Sequence, residues 1–218
     1  MNVIKFSIVD ILRCKTQLWM MVPFSVIGFI FMKSSLGPLN GVIYMCFAAI
    51  ILSTQPFMQE QIAESGFVNM LPTTKNERVI GRYLFGLLLL IFAMGLSLIS
   101  LVIYSLINNG IPSNWNIAII GSFGIGLIVL GFQYVVFYAM GKMKSQQFAS
   151  LIMMAPGFIL FFGANFIIGK IEKNMPSAVE WIASNLTAFA VLIMVVGIVI
   201  WVLSIIVTTK IIDKRDFI

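Results

Sequence analysis

Five stretches of this chain contain no Asp, Glu, Lys or Arg: residues 16–32, 34–59, 83–141, 145–169 and 181–209. Nothing else in the sequence limits its fold so tightly. A helix that crosses a bilayer needs about 20 mostly apolar residues. The first run is short and needs its flanks. The third is too long for one crossing, and it breaks at "NNGIPSNWN" (108–116), where Asn, Gly and Pro mark a turn. The pattern therefore predicts six spans, at 17–35, 39–58, 83–107, 116–140, 147–168 and 185–208. Lipid offers no partner to backbone N–H and C=O groups, so the spans must be helices. The alternation that a transmembrane barrel requires is missing. Charged residues make up 10% of the chain and hydrophobic ones 60%, against roughly 25% charge in a soluble domain. The expected fold class is all-α integral membrane, a single domain over 1–218.

An even number of spans puts both termini on one side, and positive charge selects that side. With the termini cytoplasmic, the inner segments hold Lys5, Arg13, Lys15, Lys75, Arg78, Arg82, Lys142, Lys144, Lys210, Lys214 and Arg215, while the outer loops hold only Lys33, Lys170 and Lys173. The net charge of +6 is thus a topology signal. It forms no continuous basic face for nucleic acid. The expected location is a bacterial plasma membrane, crossed many times. Cys14 and Cys46 lie inside and within a span, and are read as packing residues rather than a disulfide. No small-residue cleavage site follows the first apolar run, so it is read as a span rather than a signal peptide.

Residues 1–16 are too polar to span. Ile4, Ile8, Ile11 and Leu12 share a helical face, interrupted by Phe6 and Val9, which predicts a helix lying in the inner interface. Between spans two and three, residues 59–82 form a charged island. In "QEQIAESGFVNML", Ile62, Phe67, Met70 and Leu71 fall on one side of a short helix and Glu60 and Glu64 elsewhere. Pro72 disfavours α conformation at Leu71 and should end it. Thr74-Lys-Asn-Glu77 then fits a capping box, and the new helix should run straight into span three. A second box, Ser177 to Glu180, predicts a short helix in the outer loop 170–184, with Trp181 as its anchor. Pro156-Gly157 should kink span five. One G-x-x-x-G occurs, at Gly37 and Gly41 in an outer turn, so tight glycine pairing within the membrane is not expected.

Several chemistries are excluded. The chain has no histidine, which removes the commonest general base and metal ligand. No ionisable residue lies deep in a span, as an ion-driven carrier would usually show. No nucleophile–base set, metal-ligand set or P-loop occurs. The chain is expected to be no enzyme and to hold no cofactor or metal. Polar residues inside spans are few: Gln55, Ser97, Ser100, Tyr104, Gln133 and Asn165. They read first as hydrogen-bonding residues between helices. As a set, Gln55, Ser97, Ser100, Gln133 and Asn165 are the candidate lining of a weakly polar path.

A transporter without its own energy source must be pushed by a partner. A short rigid cytoplasmic helix joined firmly to a span suits that role, and residues 60–83 have this form. Phe67, Met70 and Leu71 could fill an apolar groove on a soluble subunit, with Glu60, Glu64, Lys75 and Arg78 setting its register. A membrane anchor or sensor docking another partner, and a secondary carrier, are the other classes compatible with the pattern.

The segment "ESGFVNMLPTTKNERVIGRYL" (64–84) resembles the signature of ABC-2 family transporter permeases through Glu64, Gly66, Leu71, Pro72, Thr73, Thr74, Lys75, Val79, Gly81, Arg82, Tyr83 and Leu84. "VDILRCK" and the ending "KIIDKRDFI" resemble the family's N-terminal helix and tail. The Asp-Glu start usual before the glycine is absent. The resemblance implies the membrane subunit of an ABC exporter: two permeases, identical or different, with two separate ATPase subunits that bind ATP and Mg. It also implies a coupling helix in the loop before span three, covering Glu60, Glu64, Gly66, Phe67, Met70, Leu71, Pro72, Thr74, Lys75 and Arg78. In size and style the chain is similar to small permeases that export amphipathic peptide toxins, the staphylococcal phenol-soluble modulins.

Overall fold

The computed structural model describes residues 2–23, 25–26, 38–62, 74–108, 110, 115–147, 151–152, 155, 181 and 184–213. Among these the regular structure is entirely helical: α1 (Asn2–Arg13), α2 (Lys15–Trp19), α3 (Pro38–Ser53), α4 (Gln55–Ile62), α5 (Lys75–Asn108), α6 (Trp115–Gln147) and α7 (Leu186–Asp213). Among the described residues, three stretches are long and apolar enough to cross a membrane: Lys75–Ile107, Trp115–Met140 and Leu186–Asp213. Val42–Met58 is a shorter apolar stretch. These coincide with predicted spans three, four, six and two. Most of spans one and five, the kink at Pro156-Gly157 and the box at Ser177–Glu180 lie outside the described residues.

Helix α5 is the hub, touching α1, α3, α6 and α7. Its 34 residues give a rod of about 51 Å, well beyond the roughly 30 Å of a hydrocarbon core. The predicted capping box starts it: Thr74 N–H donates to Glu77 Oε2 at 2.9 Å, and Glu77 N–H to Thr74 Oγ1 at 3.3 Å. The helix then continues without interruption from the charged island into the apolar run. The expected continuity therefore holds.

The second span differs from the simple rod expected. It breaks at Thr54, between α3 and α4. Pro56 is the reason, because it has no N–H for the Leu52 carbonyl and disfavours helical geometry just before it. Phe57 N–H turns to the Thr54 carbonyl at 3.1 Å. The Ser53 carbonyl instead accepts Tyr134 O–H from α6, at 3.1 Å. A proline break becomes a tie between two helices.

The most extensive helix contact among the described residues joins α6 to α7. Here the expectation that tight glycine pairing is absent proves wrong. A Cβ on Gly197 would lie 2.5 Å from the Gly124 carbonyl oxygen, and one on Gly124 would lie 2.7 Å from Met194 Cα. The two backbones meet directly. One turn-pair further along, Gly131 faces Ser204, whose Oγ would sit 3.0 Å from an added Cβ. Small residues from two different helices make the contact, so a motif confined to one helix does not reveal it. The readable signal is Ala190, Gly197 and Ser204 at seven-residue steps, all buried on α7.

Candidate functional site

The charged end of α5 is where the sequence placed its functional residues. Thr74 and Lys75 are exposed there, and Arg78 is half-buried. Glu60 falls within α4, while Glu64, Gly66, Phe67, Met70, Leu71 and Pro72 lie outside the described residues. The described part thus holds the base of the island.

That base is clamped at one residue. Arg82, the last charge before the long apolar run, is buried, with its Nε 3.9 Å from Asp10 Oδ2 on α1; the two side chains are 6% and 0% exposed. Its guanidinium carbon sits 4.5 Å from the ring centroid of Phe57 on α4 and 5.9 Å from that of Phe6 on α1. Two helices, α1 and α4, therefore converge on the cation of a third. A charge taken out of water needs compensation, and a nearby carboxylate and aromatic faces supply it. Phe57 in turn stacks on Phe137 with centroids 4.9 Å apart and meets Tyr134 and Tyr138 edge-on.

Helix α1 is fitted to this place. Phe6, Ser7 and Asp10 are buried, as is Cys14 just past its end, while Ile4, Ile8 and Leu12 are exposed. Ser7 Oγ donates to the Gly81 carbonyl. Gly81 lies so close to Phe6 that a Cβ there would come within 2.9 Å of its ring. Phe6, which interrupts the apolar stripe in the sequence, is thus the residue that seats the helix. Burial pushes the Cys14 thiol pKa up to about 12, with Asp10 adding to the effect and Arg13 and Arg82 opposing it.

Just past the clamp, Tyr83 bonds Thr208 on α7 through their hydroxyls at 2.8 Å and lies edge-on to Tyr134 at 4.9 Å. Movement of the α5 base is therefore tied to α1, α4, α6 and α7 within a few residues. Asp10, Phe57 and Thr208 are not among the candidate site residues that the sequence offers. One signal was available: Asp10 is the only acidic residue before Glu60.

The candidate path residues are mostly engaged. Ser97 Oγ donates to the Ala93 carbonyl at 2.9 Å and Ser100 Oγ to that of Leu96 at 3.0 Å, each within α5. Buried Gln133 donates from Nε2 to the Ile152 carbonyl at 3.2 Å. Gln55 and Tyr104 are half-buried, and Asn165 lies outside the described residues.

A polar, capped segment continuous with a membrane rod is the arrangement that the sequence signature led us to expect. A model of the ABC-2 family transporter proteins matches residues 7–213. The chain belongs to the ABC-2 transporter family. No curated protein and no solved structure matches it. As an ABC-2 permease it is a multi-pass membrane protein, a membrane subunit that is not itself catalytic, of a family whose members generally work with ABC ATPase subunits.

Proposed function

We propose that this ABC-2 chain is the permease half of an ATP-driven exporter, paired with a second permease, identical or similar, and moved by a separate ATPase. The working topology is six spans with cytoplasmic termini, α1 in the inner interface, and residues 59–82 as the coupling segment. ATP and Mg belong to the partner, and the cargo is hydrophobic or amphipathic, of the amphipathic-peptide kind. One observation carries the reading: α5 runs unbroken from its cap at Thr74 through the clamp at Arg82 into the membrane. In this reading a displacement that reaches Thr74 enters a rigid rod. At Arg82 the rod carries α1 and α4 with it, and at Tyr83 it pulls on α7 through Thr208. The scarcity of charge within the spans favours a greasy cargo over an ion.

The test uses the complex assembled with its ATPase in proteoliposomes. Phe67→Asp and Leu71→Asp should abolish ATP-dependent movement of a labelled amphipathic peptide while the permease stays folded and inserted. Transport unchanged in both variants contradicts the reading. A chain that binds an ATPase yet never moves peptide, lipid or drug cargo would be an anchor instead.

A further inference from the structure

Beside the clamp, α1, α2 and α5 enclose a groove of about 470 Å³. Apolar side chains line it, among them Ile11, Leu18, Val22, Leu88 and Phe92, and among the described residues the single charged one in the lining is Lys15. Lys15 is exposed, and so is Trp19, a residue type that favours the headgroup level. Further positive charge is carried by the same helices, Lys5 and Arg13 on α1 and Lys75 and Arg78 at the start of α5. We propose that this groove binds one anionic phospholipid, an acyl chain lying along Val22, Leu88 and Phe92 and the headgroup phosphate on Lys15.

The occupant follows from the chemistry of the groove. Its volume falls in the range of sites that bury most of a small ligand. An apolar trough in a membrane protein fills with hydrocarbon, and a lysine on a flexible stem at its rim selects a negative head. A zwitterionic lipid would fit the trough equally well but would gain less from Lys15. The lipid would wedge between α1–α2 and the α5 rod, next to the Asp10–Arg82 contact. The assignment requires only that the chain sits in a membrane, so it stands or falls separately from the choice of cargo and ATPase.

The test keeps Trp19 as the sole tryptophan, with Trp115, Trp181 and Trp201 changed to Phe, in bilayers containing brominated phosphatidylglycerol or brominated phosphatidylcholine. Quenching of Trp19 should show a preference of about fivefold for the anionic lipid. Lys15→Gln should remove most of that preference. The double variant Val22→Phe with Leu88→Phe fills the trough without changing charge and should remove it too. Native mass spectrometry of the unmodified chain should show retained phosphatidylglycerol in preference to phosphatidylcholine, which protects the test against a misfolded variant. Equal quenching by both lipids overturns the proposal. So does a preference that survives the filled trough, which would mark general attraction to the basic surface. Quenching by neither lipid, with none retained, would mean that the chain itself or cargo occupies the groove.

Discussion

Asp10 faces Arg82 across 3.9 Å with both side chains buried, and this contact fixes the N-terminal helix to the base of the α5 rod. Removing one partner of such a pair leaves a charge without compensation, at a cost of about 3–5 kcal/mol. Asp10→Ala and Arg82→Ala should each lower the thermal unfolding midpoint in detergent sharply. The combined variant should lose clearly less than the sum, since no lone charge remains. Additive losses would show that the two residues are not coupled.

The cap is a smaller, local element. Thr74→Ala should cost about 1 kcal/mol, while Thr74→Ser should be nearly neutral because it keeps the oxygen that accepts Glu77 N–H. Hydrogen exchange at residues 75–78 reads the effect directly. Faster exchange in Thr74→Ala, with residues 83–107 unchanged, is the expected result.

Two glycines make a matched comparison. Gly197→Ala places a methyl group 2.5 Å from the Gly124 carbonyl oxygen, whereas a Cβ at Gly95 meets nothing within 4 Å. The first variant must force α6 and α7 apart and should destabilise strongly. The second should be neutral or stabilising by up to about 1 kcal/mol, since alanine loses less backbone entropy in a helix. Thermal stability of the two variants, measured side by side, checks the packing.

Cys14 should resist maleimide in the folded protein at neutral pH and react on denaturation, because it is buried and its thiol is held neutral. The folded pKa of about 12 lies above the ordinary 9.0. Its contribution to stability is therefore constant below about pH 9 and is lost as pH rises towards 12, where the unfolded thiol ionises first. Cys14→Ala should flatten that alkaline decline.

Much of this was readable from residue order, because lipid leaves helices little choice once charge is absent. The break at 108–116, the Thr74–Glu77 cap and the continuity into span three are local effects, and local patterns express them. What the sequence hid is pairwise and distant. Arg82 reads as a topology charge until Asp10 and Phe57 are seen around it. Gly197 looks unremarkable because its partner, Gly124, is on another helix. The break before Pro56 goes unread in a span taken as one rod, and that the Ser53 carbonyl freed there is answered by Tyr134 depends on how α3 and α6 meet. The polar residues within spans are a different case: residue type marks them as hydrogen-bonding groups, but only the fold shows that Ser97 and Ser100 bond carbonyls of their own helix.

The central claim is that the segment entering α5 faces the cytosol and takes its push from an ATPase. Cysteines placed by Phe67→Cys and Lys75→Cys in a Cys14→Ala, Cys46→Ala background, within the assembled complex, test it most directly. The account predicts that both are labelled only from the cytoplasmic side and that Phe67→Cys crosslinks to the ATPase in a nucleotide-dependent yield. Labelling from the exterior, or the absence of any crosslink to an ATPase that co-purifies with the chain, would contradict it.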